Sequence, residues 1–236
     1  MATGTLFLIP TTLGESALAA VLPAQVQQRA RTLEHFVAEN PKTARAFLKQ
    51  IATAKPLQEL HIATLNEHTP EDGIAALAAP LLAGLDVGVM SEAGCPGVAD
   101  PGAKLVLYAH RHGIRVVPLV GPSSILLALM ASGLNGQSFA FHGYLPVAEV
   151  EREKALRELE KQSRRLAQTQ IFIETPYRNQ KMLSSILAAC ANSTLLCVAA
   201  DVTLPGEDIR TMTIAAWRKH PPQLERRPAL FLLLAG

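Results

Sequence analysis

The sequence has little of what marks several common classes of protein. Its three cysteines, Cys95, Cys190 and Cys197, form no C-x-x-C pair in a chain of 236 residues. So few cysteines, odd in number, argue against a disulfide framework or a zinc site and are typical of a reducing compartment. No apolar run approaches the roughly 18 residues of a membrane span, and no signal-peptide pattern opens the chain. We therefore expect a cytoplasmic protein that binds no metal and no membrane.

A strong charge and the common nucleotide fingerprints are missing as well. The net charge is only +2, which is a weak indication of an anionic partner. Neither G-x-G-x-x-G nor the P-loop pattern G-x-x-x-x-G-K-[ST] occurs, so a Rossmann-type dinucleotide site and P-loop phosphoryl transfer are not expected. Apolar residues are abundant, at 49%, which is enough for a sizeable core in one large domain or two small ones.

The most informative segment is Ser91–Gly102, which reads SEAGCPGVADPG. It follows a short apolar run, Val87–Met90, that predicts a buried strand, and it precedes Ala103–His110, which predicts a helix. Three glycines and two prolines in these twelve residues cannot continue either element. A long, constrained loop at the carboxyl end of a strand is where open α/β sheets bind ligands, although an ordinary strand-to-helix turn is the alternative interpretation.

Strands and helices are predicted to alternate through the first half of the chain, which indicates a parallel sheet with helices on its faces. In the second half the strands are more closely spaced, and some should pair antiparallel to give a mixed sheet. We predict two α/β domains, residues 1–119 and 120–236. The predicted strands are Thr5–Ile9, Thr32–Ala38, Leu60–Thr64, Val87–Met90, Arg115–Pro118, Phe139–His142, Gln170–Glu174, Leu195–Asp201, Arg210–Ile214 and Ala229–Leu234. The predicted helices are Ala17–Gln28, Thr43–Ile51, Ile74–Ala83, Leu105–His112, an apolar helix ending at Ser132, and Glu151–Gln168.

The predicted helix Glu151–Gln168 has a clear pattern of faces. The core-facing residues, at helical spacing, are expected to be Leu156, Leu159, Ser163 and Leu166. Ion pairs at i,i+4 are predicted between Glu153 and Arg157 and between Glu160 and Arg164. A basic stripe could contact phosphates or simply be solvated, and it consists of Lys154, Arg157, Lys161 and Arg164.

A carboxylate and two cations follow the second predicted strand. Glu39 supplies the carboxylate, and Lys42 and Arg45 supply cations one helical turn apart. Asn40 and Pro41 are suited to open the helix as its cap and first residue. These residues could therefore form a site at a strand's carboxyl end, or only a capped helix with surface charges.

Imidazole and hydroxyl groups follow the third and first predicted strands. His68 is a candidate acid–base group, or else a solvated loop histidine. Thr69 is expected to cap the next helix, with Asp72 at its third position. After the first strand, Thr11 and Thr12 offer hydroxyl groups at the carboxyl edge of the sheet.

Further candidate ligand groups follow the later strands. Ser123 and Ser124 open the apolar helix, where backbone N–H groups and hydroxyls suit a carboxylate or a ribose. In the second half, Arg178 could hold a carboxylate or phosphate, and Tyr177 could stack on a base. Ala199, near a strand end, permits the close approach of a flat ligand, although alanines in strands usually only pack.

Taken in order, these loops resemble the tetrapyrrole methylase superfamily, the class III S-adenosylmethionine-dependent methyltransferases. The similar segments are Leu6–Gly14, Asn66–His68, Ser91–Gly102, Gly113–Pro122, Gly143–Pro146 and Ile171–Arg178. They span nearly the whole chain, and the succession of SEAGCP, DPG and VPLVGP is specific. Within the superfamily the sequence is most similar to the ribosomal small-subunit methyltransferase I branch, whose members methylate a cytidine ribose 2′-oxygen in small-subunit rRNA.

The resemblance implies a fold, a methyl donor and a set of binding residues. The family fold is two α/β domains that bind S-adenosylmethionine in a folded conformation in the cleft between them, usually as homodimers. By motif, the donor-binding residues would be Pro10, Glu92, Cys95, Ser123, Ser124, Glu174, Ala199, Pro228 and Ala229. The adenine would lie against backbone near Ala199 and Pro228–Ala229, and the methionine end would approach Glu92 and the start of the helix at Ser123 and Ser124.

Three departures from that branch stand out. The branch has Glu-Asp-Thr-Arg where this chain has Glu39-Asn40-Pro41-Lys42, and Glu92 replaces the usual Asp. Branch members also carry a further C-terminal helical domain, whereas this sequence stops at Gly236. We therefore expect an intact donor site and an altered acceptor site.

Three functions are compatible with this pattern. The first is an RNA ribose 2′-O-methyltransferase. Its catalytic candidates are Glu39, Lys42 and His68, and its candidate acceptor contacts are Thr11, Thr12, Arg45, Tyr177 and Arg178. The second is a small-molecule, tetrapyrrole-type C-methyltransferase, which needs a broad and mostly apolar cleft. The third is a donor-binding protein that has lost its acceptor chemistry.

Overall fold

The structure, a computed structural model, describes residues 2–236. The chain divides into two compact units, the first ending at Ser123 and the second running from Ser124 to Gly236. Within the residues described, no helix is both long and apolar enough to cross a membrane.

The first unit is built on a five-stranded sheet in which all strands are parallel, as predicted. The strand order is β3-β2-β4-β1-β5. The four residues of β4 are all buried, as expected for a strand covered on both faces. The elements are β1 Thr5–Ile9, α1 Leu18–Val21, α2 Ala24–Thr32, β2 His35–Ala38, α3 Pro41–Ile51, a 3-10 turn Leu57–Glu59, β3 His61–Thr64, α4 Glu71–Leu82, β4 Val87–Met90, α5 Ala103–Arg111 and β5 Arg115–Pro118.

The alternation of side chains along β1 shows how this unit forms three layers. Phe7 and Ile9 enter a core cluster that also contains buried residues of α2 and α3. Leu6 points the other way, into a cluster with buried residues of α4 and α5. Helices therefore cover both faces of the sheet and leave its carboxyl edge to the loops.

The start of α3 confirms one local prediction. Pro41 is the first helical residue, and Asn40 is the cap, because its side-chain oxygen accepts a hydrogen bond from the Lys42 N–H at 3.0 Å. Asn40 thereby satisfies one of the N–H groups that the first turn leaves without an intrahelical partner.

Two other predictions about helix starts are wrong. The single helix predicted over Ala17–Gln28 is two helices, because Pro23 occupies the N-cap position of α2 and has no N–H to continue α1. Thr69 does not cap α4, which begins at Glu71 without a side-chain cap. The Thr69 hydroxyl instead accepts the Asn66 N–H at 3.0 Å and so closes the loop after β3.

The second unit contains a mixed five-stranded sheet, as predicted. The order is β6-β7-β10-β8-β9, with β6 and β7 parallel and the other neighbours antiparallel. The helices α8 and α9 are additional to the predicted elements. The elements are α6 Ser124–Ser132, β6 Phe139–Tyr144, α7 Glu149–Leu166, β7 Thr169–Glu174, α8 Asn179–Ala189, β8 Leu195–Ala200, β9 Asp208–Thr213, α9 Ile214–Lys219 and β10 Ala229–Leu234.

The predicted faces of α7 are correct only in part. Leu156, Leu159 and Ser163 are buried as predicted, but Leu166 is 45% exposed. Leu166 is the last helical residue, and Ala167 turns the chain towards β7 in the left-handed conformation, at φ 48°. The final side chain of the predicted stripe therefore lies beyond the part of the helix that packs on the core.

The predicted ion pair between Glu160 and Arg164 is also wrong. Glu160 is buried, and its Oε1 accepts the Ala191 N–H at 2.8 Å and the Thr194 hydroxyl. Arg164 donates instead to the Gly236 carbonyl oxygen at 3.0 Å. The pair between Glu153 and Arg157 is confirmed, at 2.7 Å.

Candidate functional site

Loops from three strands are joined at the carboxyl edge of the first sheet. The Thr11 N–H, directly after β1, donates to the Gly94 carbonyl oxygen at 2.9 Å. The Cys95 thiol, in the loop after β4, donates to the Pro122 carbonyl oxygen at 3.4 Å. Gly121, after β5, packs directly against the ring of Pro10. The structure therefore brings together Pro10, Thr11 and Cys95, three of the predicted site residues.

The loop Ser91–Gly102 is held in shape by hydrogen bonds between its own residues. Asp100 Oδ1 accepts the N–H groups of Gly97 and Gly102, at 2.9 and 2.6 Å. Gly94 and Gly97 have φ of 75° and 82°, in the left-handed region where glycine meets no Cβ penalty. Asp100 is thus an organising residue of the site that the sequence analysis missed, although its place in an Asp-Pro-Gly turn was a usable signal.

A groove of about 310 Å³ lies on this edge of the first unit. The segments Thr11–Glu15 and Ser91–Ala93 line it together with the Thr43, Phe47 and Gln50 positions of α3. Thr11 and Thr12, predicted to contact the acceptor, therefore share one groove with Glu92, predicted to contact the donor. A volume of this size is at the lower end of the range of small-molecule sites.

Glu39 lies beside this groove, in a shallow depression that it lines with Asp100 and Pro101. The side chain as a whole is exposed, but partial burial of its carboxyl raises the pKa of Glu39, and the carboxylates of Glu92, Asp100 and Glu67 raise it further. Glu39 is consequently a better proton acceptor in its ionised form than an isolated surface glutamate.

Replacing Glu39 with glutamine should raise the thermal stability at neutral pH. The pKa of Glu39 in the folded protein lies above its ordinary value of 4.5, so ionising it opposes folding. The stability contributed by this residue therefore falls as the pH rises from its ordinary pKa through its pKa in the folded protein. The gain should disappear near about pH 3.5, where both states are protonated. Melting temperatures from about pH 3.5 to about pH 8 test this.

Glu34 is the matched control, because its pKa shifts the other way. A hydrogen bond with Lys55 lowers the pKa of Glu34. Glu34→Gln should therefore lower the melting temperature at neutral pH and have no effect at low pH. A Glu39→Gln variant that is less stable than wild type at neutral pH would contradict the acidic environment described for Glu39.

The other predicted acid–base and cationic residues lie on α3 and in the loop after β3. Lys42 and Arg45 are exposed on α3, on a face next to the one that lines the groove. The His68 side chain is 83% exposed, with its Nε2 3.5 Å from Glu67 Oε1. In the loop after β3 it is Glu67, rather than His68, that acts on the Glu39 carboxyl.

In the second unit, Arg178 is hydrogen-bonded to Glu174, a residue predicted to bind the donor. Its Nε and Nη2 both donate to Glu174 Oε1, at 3.0 and 2.6 Å, and the Thr175 N–H donates to the same oxygen at 2.7 Å. The Glu174 side chain is only 1% exposed. Arg178 therefore carries its own carboxylate partner, whereas the neighbouring Tyr177 is 81% exposed.

The sheet register places predicted donor-binding residues of the second unit in the same row or in neighbouring rows. Ala229, the first residue of β10, pairs with Glu174 on one side and with Ala200 on the other. Ala199 pairs with Leu230 in the next row, and Pro228 precedes Ala229 directly. The structure thus brings Glu174, Ala199, Pro228 and Ala229 together at one end of strands β7, β8 and β10.

Solved structures define the class of fold. The chain superposes on the methyltransferase CobJ with a TM-score of 0.65 at 19% identity, covering 99% of this chain and 95% of that chain. It superposes on uroporphyrin-III-C-methyltransferase from Thermus thermophilus with a TM-score of 0.55 at 21% identity, covering 98% and 92%. The parallel and mixed five-stranded sheets are therefore those of the methyltransferase fold that both structures share.

The family follows from the sequence comparison. The family described as Tetrapyrrole (Corrin/Porphyrin) Methylases matches residues 7–217, and the chain belongs to it, as its motifs predict. Similar curated proteins are named ribosomal RNA small subunit methyltransferase I. They include those of Vibrio cholerae, 36% identical over 167 residues, Mesorhizobium japonicum, 35% over 182, and Escherichia coli O157:H7, 30% over 236.

The extent of these alignments differs between the relatives. They cover 69%, 77% and 99% of this chain, and 57%, 59% and 78% of the three relatives in the same order. The matched part of the chain thus spans less than two thirds of the length of the Vibrio and Mesorhizobium proteins.

Proposed function

We propose that the protein is an S-adenosylmethionine-dependent methyltransferase that methylates a ribose 2′-oxygen in RNA. The observation that carries the proposal is its identity of 30–36% with proteins named ribosomal RNA small subunit methyltransferase I, together with membership of the methylase family. Supporting observations are the preordered loop Ser91–Gly102 and the row formed by Glu174, Ala229 and Ala200.

The residues at the two sheet edges fit the chemistry of this donor. The paired strands at Ala199, Ala200 and Ala229 offer small side chains against which a flat base can lie. The hydroxyls of Thr11 and Thr12 and the carboxylate of Glu92 line the groove and suit a ribose and an ammonium group. The donor, when bound, supplies an electrophilic methyl group on a sulfonium sulfur.

We propose further that residues of both units contribute to donor binding. In the first unit these are Pro10, Glu92, Cys95 and Ser123. In the second unit they are Ser124, Glu174, Ala199, Pro228 and Ala229. This assignment rests on the family motifs, and substitutions made separately in each unit test it by calorimetric titration with the donor.

Glu39 is the residue we propose as the general base. A ribose hydroxyl is a poor nucleophile, and it gains from a group that accepts its proton as the new bond from oxygen to carbon forms and the bond from carbon to sulfur breaks. The raised pKa of Glu39 makes its carboxylate a stronger acceptor for that proton. Lys42 and Arg45, on the helix that follows Glu39, are placed to attract an RNA phosphate, and His68 is the alternative base.

A small-molecule acceptor is the second candidate, and one observation favours it. Glu67, Glu92 and Asp100 all act on the Glu39 carboxyl, so this edge of the first unit is acidic. Carboxylates repel phosphates, and a groove of about 310 Å³ is large enough for a compact acceptor. A neutral or cationic small molecule would meet no such repulsion.

One assay separates the two candidates. The purified protein is incubated with labelled methyl donor and small ribosomal subunits that lack ribose methylation at this enzyme's site, while donor binding is measured separately by calorimetry. We expect label on a ribose 2′-oxygen, and none with a Glu39→Gln variant. Donor binding without any label on the RNA would favour the small-molecule acceptor.

Replacing Lys42 and Arg45 together with alanine should weaken RNA binding and leave donor affinity unchanged. If each cation neutralises one phosphate of a single strand, the slope of log K against log salt should shrink by about 0.7 for each, or about 1.4 for both. Filter binding over a range of salt concentrations measures this. Arg111→Ala with Arg115→Ala is the control, because both are exposed at the end of α5 and the start of β5, the end of the sheet opposite the groove. An unchanged slope in the α3 variant would show that this helix makes no phosphate contact.

We also propose that the protein is a homodimer, on the basis of the family resemblance alone. Sedimentation of the purified protein at several concentrations measures its mass in solution. A monomer over the whole range would exclude the proposal without affecting the proposed chemistry.

A further inference from the structure

A polar network lies beside the row of residues that starts β10. Arg227 Nε donates to Asp201 Oδ2 at 2.7 Å, and Arg227 Nη2 donates to the Gly206 carbonyl oxygen at 2.7 Å. Asn179, the first residue of α8 and fully buried, donates from Nδ2 to the Arg227 carbonyl oxygen at 2.6 Å. We call Asn179, Asp201 and Arg227 the β10 clamp.

The β10 clamp fixes two successive backbone groups just before β10. Asn179 binds the Arg227 carbonyl, and the Asp201 N–H donates to the Pro228 carbonyl oxygen at 2.9 Å. The Arg227 side chain returns to Asp201, so the segment is held from α8 and from the end of β8. These bonds restrict the conformations that the backbone of Pro228 and Ala229 can adopt.

The backbone around the clamp is strained, which shows that the network holds it against its own preference. Asp201, Thr203 and Arg226 have φ of 51°, 69° and 60°, all in the left-handed region. Aspartate tolerates this region, but for a β-branched residue such as Thr203 it is a genuine outlier. Each such residue costs about 1–3 kcal/mol, and it persists only where the surrounding contacts determine it.

The loop after β8 also closes tightly on the clamp. A Cβ added at Gly206 would lie 3.0 Å from Asp201 Oδ2, so only glycine fits there without a shift of the carboxylate. The Arg227 guanidinium thus donates both to the Asp201 carboxylate and to the carbonyl oxygen of the residue that packs against that carboxylate. Fixed donors and acceptors of this kind are how proteins preorganise a binding surface.

We propose that Asn179, Asp201 and Arg227 are positioning residues for the methyl donor. They hold the Pro228–Ala229 backbone in the place from which it binds the donor, and they contact the donor only through that backbone. This inference rests on the proposed function, because it needs Pro228 and Ala229 to be part of the donor site. Loss of any clamp residue should therefore weaken donor binding in a protein that is still folded.

Calorimetric titration with S-adenosylmethionine tests the inference, using wild type, Asp201→Asn and Asn179→Ala. Asn179→Ala removes the hydrogen bond to the Arg227 carbonyl oxygen, and Asp201→Asn removes the negative charge that pairs with the Arg227 guanidinium. We expect the dissociation constant to rise about tenfold in each. Melting temperatures measured without donor show that each variant is folded at the titration temperature. If Asn179→Ala does not fold, Asn179→Ser, which keeps a hydrogen-bond donor, takes its place.

The control is Glu34→Gln, which removes the 2.7 Å ion pair between Glu34 and Lys55 at the amino end of β2, away from the second sheet. A role limited to stability would lower the melting temperatures but leave the donor affinities alike. Wild-type affinity in both clamp variants, or an equal loss in Glu34→Gln, would overturn the inference. Absence of donor binding by the wild-type protein would overturn the proposed function, and this inference with it.

Discussion

Replacing Gly121 with valine should abolish donor binding and destabilise the first unit. A Cβ at position 121 would lie 2.2 and 2.3 Å from the Pro10 Cγ and Cβ atoms and 3.1 Å from Leu22 Cδ2. The Pro10 ring is rigid, so the loops after β1 and β5 would have to separate. Overpacking of this kind costs about 1–3 kcal/mol in well-packed cores. Here it would also displace Thr11, which follows Pro10 and lines the groove.

Calorimetry and thermal melting of Gly121→Val test this expectation together. Gly136→Ala is the control, because nothing lies within 4 Å of a Cβ built at Gly136. The control should keep wild-type donor affinity, whereas Gly121→Val should show none at accessible concentrations. A folded Gly121→Val protein with normal affinity would show that contact between these two loops is not needed for the site.

Replacing Glu160 with alanine should be among the most destabilising changes in the second unit. Its Oε1 is the acceptor for the Ala191 N–H and the Thr194 hydroxyl, and Glu160 and Thr194 are both buried. Removing the carboxylate leaves the buried Thr194 hydroxyl without its acceptor, which costs about 1–3 kcal/mol, whereas the N–H of the exposed Ala191 can bind water instead. We therefore expect a loss of about 1–3 kcal/mol in the free energy of unfolding.

The fluorescence of Trp217 measures this loss, since Trp217 is the single tryptophan and is fully buried in the second unit's core. Denaturant unfolding followed by this signal reports mainly on that unit. Arg164→Ala and Glu158→Ala, both exposed on the same helix, should cost no more than about 0.5 kcal/mol. If Glu160→Ala costs as little as Arg164→Ala, the hydrogen bonds of Glu160 would contribute no more to stability than an exposed contact.

Much of the fold could be predicted because its signals are local. Short apolar runs such as Val87–Met90 are buried strands, and the Asn40-Pro41 pair opens a helix in the way its side chains dictate. The loop Ser91–Gly102 is recognisable because glycines and prolines cannot continue its neighbours. Each of these signals depends only on residues a few positions apart in the sequence.

The wrong predictions depend on partners far away in the chain. Glu160 and Arg164 have the spacing of a surface ion pair, but the acceptor that Ala191 and Thr194 require is about thirty residues from them along the chain. Thr69 has the composition of a helix cap, yet its hydroxyl closes a loop with Asn66. Composition therefore identifies which groups can form bonds, while the tertiary fold selects the partner.

The same reasoning explains what was missed in the candidate site. The row of Glu174, Ala229 and Ala200 depends on strand register, which pairs Ala229 with residues 55 and 29 positions before it. The pairing of Arg178 with Glu174, in contrast, has i,i+4 spacing and was available from the sequence. The clamp residues Asn179 and Asp201 carry no local signal for the Arg227 carbonyl and guanidinium that they bind.

The position of β10 determines when the second sheet can be completed during synthesis. β7 and β8 are not neighbours, because β10 lies between them and pairs with both. Until β10 has left the ribosome, β6–β7 and β8–β9 are two separate ribbons whose inner edges have unpaired N–H and C=O groups. At about 5–20 residues per second, that interval lasts a few seconds, in which the nascent chain is open to edge-to-edge association. The second unit is thus assembled by its final strand, and a chaperone that covers those edges would act in this interval.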